Sequence, residues 1–345
     1  VCKQINTQTE EVIAQNYYDD LGQLIGKGVG GTTLQTSLQT IDYTYNIRGW
    51  LKGINDVNNL GTDLFGFAIS YNQPKDDVYG QVIPQFNGNI SETFWKTAND
   101  NYLRGNGYRY DALNRLNDAW YEEPENPLFL STGDRIKKYP GFYETRLIEY
   151  DKNGNINYLR RSGLGANNTS IIMDRLYYTY QANSNKLLSV AQGPDATQGG
   201  FTDGNTVGND YSYDGNGNLK EDKNKGISNI IYNHLNLPSQ ITFTSGKIEY
   251  FYDAVGTKQK KKVTNGAVIT TTDYAGNYIY QNNALQMINQ PEGYLEPNGL
   301  GTYDYGYRLK DHLGNIRITF VDFDHNGSIA LSEITEENNY YPFGL

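Results

Sequence analysis

The sequence predicts an all-β fold made of repeated β-hairpins, and three observations lead there. The first is composition: among 345 residues there are 31 Tyr and 37 Gly, while hydrophobic residues make up only 37%. Tyr and Thr suit half-buried pleated surfaces, and Gly and Asn suit tight turns. Long helical runs of Ala, Leu, Glu and Lys are missing. The second is a recurring phrase: an aromatic residue, Asp or Asn, two or three linking residues, Gly or Asn, then an apolar residue. The third is spacing, since Tyr213, Tyr232 and Tyr252 stand 19 and 20 residues apart.

The phrase opens as Tyr18-Asp19-Asp20-Leu21-Gly22-Gln23-Leu24 and returns as Tyr45-Asn46-Ile47-Arg48-Gly49-Trp50-Leu51. Further copies begin at Tyr110-Asp111, at Tyr150-Asp151 with Gly154, and at Tyr213-Asp214 with Gly217. Weaker copies start at Tyr232-Asn233 and at Tyr252-Asp253 with Gly256. Each element has a physical reading. Tyr at i and i+2, as in Tyr211 and Tyr213, share one face of a strand. The Asp or Asn side chain bonds backbone two residues on and starts a turn. Gly or Asn at the turn's end accepts positive φ, and the apolar residue begins the return strand. A lone hairpin is marginal, so neighbours must pair and stack. The expected product is a curved or spiralling continuous sheet held by nearest-neighbour contacts. The 40 residues from Tyr110 to Tyr150 fit two periods with one degenerate copy.

The repeat array is expected over residues 1–306, followed by a distinct segment over 307–345. A non-repeat insertion interrupts the array at about residues 52–95. Within it, Asp63–Tyr71 and Gln85–Ser91 read as strands flanked by turns. Residues 122–127 and 192–200 read as surface loops. Gly26-Lys27-Gly28-Val29-Gly30-Gly31 reads as a flexible loop, because no Gly-Lys-Ser/Thr follows to make a phosphate loop. The first residue is not Met and the chain stops at Pro342-Phe343-Gly344-Leu345, so it reads as part of a longer polypeptide.

The charge balance narrows the partners. A net charge of −10 and a pI near 4.9 oppose binding to phosphate backbones or anionic lipid, so no nucleic-acid partner is expected. The cluster Lys258, Lys260, Lys261, Lys262 reads as a solvated strand edge blunted against aggregation, or as a local basic patch. With Cys2 alone, no disulfide can close within the chain. No apolar run approaches the roughly 20 residues a membrane helix needs, so no direct membrane span is expected.

At this point the residues resemble a known family. The Tyr-Asp-x-x-Gly-x-Leu units are similar to RHS/YD repeats. Tyr307-Arg308-Leu309-Lys310-Asp311-His312-Leu313-Gly314-Asn315-Ile316-Arg317 resembles the RHS-associated core, with Asp311, Gly314 and Arg317 as its motif positions. The ending Glu337-Asn338-Asn339-Tyr340-Tyr341-Pro342-Phe343-Gly344-Leu345, with Pro342 and Gly344, resembles the same core. Tyr45–Leu51 and Phe86–Ser91 resemble its Bacteroidetes branch. The likeness covers essentially the whole chain. It implies a hollow cocoon of spiralling hairpins around a C-terminal toxin or effector carried by the same polypeptide. It further implies bacterial secretion machinery as a partner, and a secreted or cell-surface location. Some members carry an aspartyl autoprotease after the Pro-Phe-Gly element. This chain stops before that region, so no catalytic residue is carried over and no enzymatic activity is expected.

The most specific local motif is Asp322-Phe323-Asp324-His325-Asn326-Gly327-Ser328-Ile329-Ala330-Leu331-Ser332-Glu333. Asp322, Asp324 and Asn326 occupy loop positions 1, 3 and 5, Ser328 position 7, and Glu333 position 12, which is the EF-hand loop pattern. Arg317–Val321 ahead of it reads as a strand, not an entering helix. Two readings stand: a structural Ca²⁺ site, or an acidic hairpin loop without metal. The histidines His234, His312 and His325 have no zinc spacing. Asp311-His312 could suggest a hydrolase, but no Gly-x-Ser-x-Gly elbow accompanies it. The simpler reading is that Asp311 and Gly314 shape a turn and Arg317 pairs with a carboxylate. The alternative to a container is a cell-surface adhesin or glycan-binding repeat protein, with Trp50, Trp95 and Trp120 stacking on sugars or else packing within the fold.

Overall fold

The computed structural model describes residues 2–3, 11–31, 36–75, 82–122, 142–165, 169–196 and 200–344. Among the described residues there is no α-helix, only strands and 3-10 turns at Leu331–Glu333 and Pro342–Gly344. Strands consecutive in sequence are neighbours in two sheets of 12 and 13 strands, beside a small pair formed by Cys2–Lys3 and Glu11–Val12. The all-β hairpin expectation is met. The strands divide between two long sheets, with the break after Leu187–Gln192. There Asp210 donates its N–H to the Leu188 carbonyl, and its side chain accepts the Val190 N–H at 2.8 Å. Those are groups a following strand would otherwise use.

The repeat turns share one construction. In the first, the Asp19 side chain accepts the N–H groups of Leu21 at 2.9 Å and Gln23 at 2.8 Å. The backbone closes it through Asp19 N–H to Gln23 O and Gly22 N–H to Asp19 O. The same pair of side-chain bonds recurs at Asn46, Asp111, Asp151, Asp214, Asn233, Asp253 and Asp311. The fourth turn residue has positive φ, +78° at Gly22 and +86° at Gly217, with Asn114 and Asn236 filling the position elsewhere. A Cβ there costs energy, and Asn tolerates it better than other side chains. Hydrogen bonds, first that from Thr257 N–H, hold the Asp253 carboxyl below its usual range.

The repeat tyrosine ties each hairpin to the one before. Tyr45 donates its hydroxyl to the carbonyl of Leu24, the residue just past the preceding turn, at 2.8 Å. Tyr71, Tyr180, Tyr213, Tyr232, Tyr252 and Tyr340 repeat this on Leu51, Ile156, Leu187, Leu219, Pro238 and Ile316. Amides reinforce the turns from outside: Asn216 and Asn218 both donate to Asn236 Oδ1. The tyrosine is therefore both an apolar filler and a donor to a carbonyl. Tyr213→Phe is expected to keep the ring but lose the bond, costing about 1 kcal/mol in urea denaturation. No loss, or a loss of several kcal/mol, would refute this role.

Two compact units emerge: one from Val1–Arg146, Pro291–Leu295 and Tyr303–Leu345, the other from Leu147–Gln290 and Glu296–Thr302. In the first, strands Phe65–Ser70 and Glu92–Thr97 pair with Phe67 opposite Trp95 and Ala68 opposite Phe94. Both faces are covered. Phe94 packs with Val57 and Leu103, and the Phe67 and Trp95 face meets the Asp311–Arg317 region. In the second unit, Arg161 pairs with the fully buried Asp174 at 2.5 Å. Its strands from Pro238 to Gln281 are half-exposed.

Several local expectations are corrected. Leu24–Val29 is a strand, not a flexible loop. A Cβ on Gly28 would lie 2.2 Å from Ser37 Oγ, so close packing explains that glycine. Gln85–Ser91 is not a strand; pairing begins at Glu92. The lysine-rich strand Lys258–Asn265 is not at an edge, because Gly246–Tyr252 and Val268–Ala275 flank it. Cross-strand acids supply its tolerance: Lys260 pairs with Asp273 at 2.9 Å and Lys262 with Glu249 at 3.5 Å. Residues 123–127, and the degenerate copy anticipated between Tyr110 and Tyr150, fall wholly or partly outside the described residues.

Candidate functional site

The core-motif residues build a buried seam in the first unit. Asp311 starts a repeat turn and accepts from Leu313 and Asn315 through one carboxylate oxygen. Its other oxygen takes Arg317 Nε at 3.0 Å, with the two side chains only 2% and 6% exposed. Asp311 and Gly314 thus lie in the turn, and the carboxylate that Arg317 pairs with is the turn's own Asp311. Arg317 also donates Nη1 to the Asn338 carbonyl at 3.3 Å. Its guanidinium lies 4.9 Å from the Trp95 ring centre and 5.2 Å from that of Tyr340.

Further contacts hold this region to the early strands. Trp95 Nε1 donates to Asn339 Oδ1 at 2.6 Å, and Thr97 and Asn99 both donate to Glu337 at 3.0 Å. His312 stacks on Phe67 with ring centres 5.2 Å apart. Lys27 bonds both Glu292 oxygens, at 2.9 and 3.0 Å. Sequence reading found Asp311, Gly314 and Arg317 but missed Phe67 and Trp95, which pack on Arg317, and the neighbouring pairs Trp95–Asn339 and Thr97–Glu337. Pro342 and Gly344 lie in the closing 3-10 turn, with Gly344 at φ +74°.

The acidic loop follows strand Ile316–Val321, so its flank is a strand, as read from the sequence. Carboxylate oxygens of Asp322, Asp324 and Glu333 lie within 4.8 Å of one another. Asn326 N–H donates to both Asp322 and Asp324 at 3.1 Å, and Gly327 N–H to Asp322 at 3.1 Å. Glu333 accepts from Phe323 N–H and Ala330 N–H, one on each oxygen and both at 2.8 Å. Ser328 hydroxyl donates to Asn326 Oδ1 at 2.6 Å. Burial, then Glu333 and Asp324 nearby, pushes the Asp322 carboxyl up. A set of hard oxygen donors carrying excess negative charge fits Ca²⁺ rather than a softer metal.

The other candidates separate by burial. Trp95 and Trp120 are each 2% exposed, which removes them as sugar platforms. The guanidiniums of Arg109 and Arg146 instead lie over the Trp120 ring, each 5.5 Å from its centre. Trp50 is half-buried against Tyr71, with ring centres 5.2 Å apart, and Arg48 covers it. His234 sits in a repeat turn, and His325 faces Asp304 at 3.6 Å.

Asp63 is a titrating group in the insertion. Burial first, then the charge of Asp42, pushes its carboxyl up to about 6. A folded-state value above the unfolded one means that the stabilisation is full below pH ~4 and lost as pH rises through about 6. Asp63→Asn is therefore expected to raise the melting temperature at pH 7.5 by a few degrees, about 1 kcal/mol after solvent screening. At pH 4 it should change nothing. Equal effects at both pH values would discard this assignment.

The fold resembles solved structures described as TcdB2-TccC3 with TEV, TcdB2-TccC3 with Cdc42, and TcdB2-TccC3 without its hypervariable C-terminal region. The first aligns with a TM-score of 0.54 and 16% identity over 96% of this chain. The others align with a TM-score of 0.55 and 16% identity over 96% and 97%. This chain spans only 17% of each of those chains. No protein family and no curated protein matches the sequence. The likeness is one of fold.

Proposed function

We propose that this chain is a segment of an RHS-type shell that encloses a C-terminal toxin or effector cargo and helps deliver it. The observation that carries the reading is the repeated hairpin itself. An Asp or Asn turn, a positive-φ residue and a tyrosine tied to the preceding unit recur along the chain, in a fold shared with TcdB2-TccC3 over nearly its whole length. The role is structural, without a catalytic step of its own. The cargo belongs to the same polypeptide, which leaves the producing cell through bacterial secretion machinery and acts outside it or on its surface. The loop 322–333 holds a structural Ca²⁺ through Asp322, Asp324, Asn326 and Glu333, with Ser328 at the position that supplies a backbone oxygen. Single-particle electron microscopy of the parent polypeptide tests the shell. A closed wall with density inside is the expected result. An open rod, with cargo cut by protease as fast as the isolated cargo domain, would remove the container reading.

A further inference from the structure

The seam contains one titratable group that its structural role leaves without a counter-charge. His312 follows Asp311 in the repeat turn and lies flat on Phe67, at an interplanar angle of 24°. Its Nδ1 is buried and has no hydrogen-bond partner. The ring lines a cavity of about 390 Å³ on the side of Lys27, Glu292, Arg308 and Lys310. It also lines one of about 210 Å³ on the side of Tyr108, Arg317 and Tyr340.

The charges around it decide what a proton would meet. Two carboxylates face these spaces, and each is already committed: Asp311 to Arg317 at 3.0 Å, Glu292 to Lys27 at 2.9 Å. The remaining charged groups, Arg308 and Lys310, are cationic, and the phenols Tyr43, Tyr45, Tyr108, Tyr110, Tyr340 and Tyr341 are neutral at physiological pH. An imidazolium here would be a further cation beside Arg317, with no free anion to answer it. Burial lowers the His312 pKa; the Asp311 carboxylate opposes it without cancelling it, and Arg317 adds a smaller push in the same direction as burial.

We propose that His312 is an acid-sensitive latch: protonating it drives the ring off Phe67 and loosens the grip of the Asp311–Arg317 turn on the strand Phe65–Ser70. The sign follows from linkage. A histidine whose folded-state pKa is depressed stabilises above its unfolded value near 6.5, and that stability is lost as pH falls through the folded value. Arg317 is the same residue that holds Asn338 and packs on Trp95 and Tyr340. Loosening at His312 therefore reaches the segment Asn338–Tyr341. The device stands on the first unit's geometry alone and does not depend on the container reading. If that reading holds, acidification becomes a signal that opens the wall.

The test uses the intact chain in the Asp63→Asn background, which removes the Asp63 titration, opposite in sign, from the same unit. Hydrogen exchange is followed from pH 7.5 to 5 and corrected for the intrinsic rate. Protection of residues 65–69 and 338–341 is expected to fall at least about tenfold, a change that an unanswered buried charge can produce. His312→Phe, which keeps a ring on Phe67, should hold protection constant across the range. Unchanged protection in the parent, or an equal loss in His312→Phe, overturns the proposal. Should the variant fail to fold, the imidazole resonances decide. With only His234, His312 and His325 in the chain, assignment is direct, and a His312 pKa at or above 6.5 overturns it.

Discussion

Arg317→Ala is expected to abolish or nearly abolish folding of the first unit. The substitution leaves the Asp311 carboxylate, 2% exposed, with no cation. Removing one partner of a buried ion pair costs about 3–5 kcal/mol, because the other charge stays buried and unanswered. Two further losses add to it. The Asn338 carbonyl loses a donor, and Trp95, Tyr340 and Phe67 lose the planar group packed against them. A domain holds only about 5–15 kcal/mol in all. Arg317→Lys should rescue little, since an ammonium cannot combine the carboxylate bond, the carbonyl bond and the flat aromatic contacts. Near-ultraviolet circular dichroism and urea denaturation measure the outcome. Loss of the tryptophan signal in Arg317→Ala is expected. A cooperative transition within about 1 kcal/mol of the parent would show that the pair is not what holds the seam.

What was legible in the sequence follows from the range of each interaction. The repeat turns could be read because their physics is local: Asp151 supplies bonds to residues 153 and 155, inside the phrase that announces them. The pairing of Arg317 with Asp311 was within reach for the same reason. The other half of the seam was not. Trp95 and Asn339 are 244 positions apart, and Thr97 and Glu337 are 240 apart. Nothing in either neighbourhood names the other. The glycines at 26 and 28 misled because a strand glycine and a loop glycine look alike until the covering side chain is known. Here Tyr17 covers the first and Ser37 the second. The lysines at 258–262 misled differently. Charge usually blunts an edge, but Asp273 and Glu249, opposite on neighbouring strands, let the same charges sit inside a sheet. The insertion hid most, since Gln85–Ser91 reads as a strand in sequence but has no partner strand among the described residues.

Calcium is expected to raise the melting temperature by several degrees, and Glu333→Gln is expected to cancel the gain. Asp322, Asp324 and Glu333 bring three carboxylates within 4.8 Å, and backbone N–H groups offset only part of their repulsion. A divalent cation answers all three at once. Binding to the folded state alone stabilises by RT ln(1 + [L]/Kd), about 2.7 kcal/mol at a hundredfold excess over Kd. Glu333 also anchors the loop through Phe323 and Ala330, so glutamine there keeps one acceptor oxygen and removes the charge. Asp324→Asn provides a milder second variant, since Asn326 can still bond the remaining oxygen. The gain should reach beyond the loop. Glu333 immediately precedes the strand Ile334–Glu337, whose Glu337 receives Thr97 and Asn99. Calorimetry in 1 mM Ca²⁺, roughly a hundredfold over a site with a Kd of about 10 μM, should therefore sharpen unfolding of the first unit, and EDTA should reverse it. Mg²⁺ should do less, because it demands octahedral geometry and keeps its water. Identical melting with and without Ca²⁺ would leave the loop as an acidic turn closed by its own backbone. A gain that survived Glu333→Gln would move the ion elsewhere.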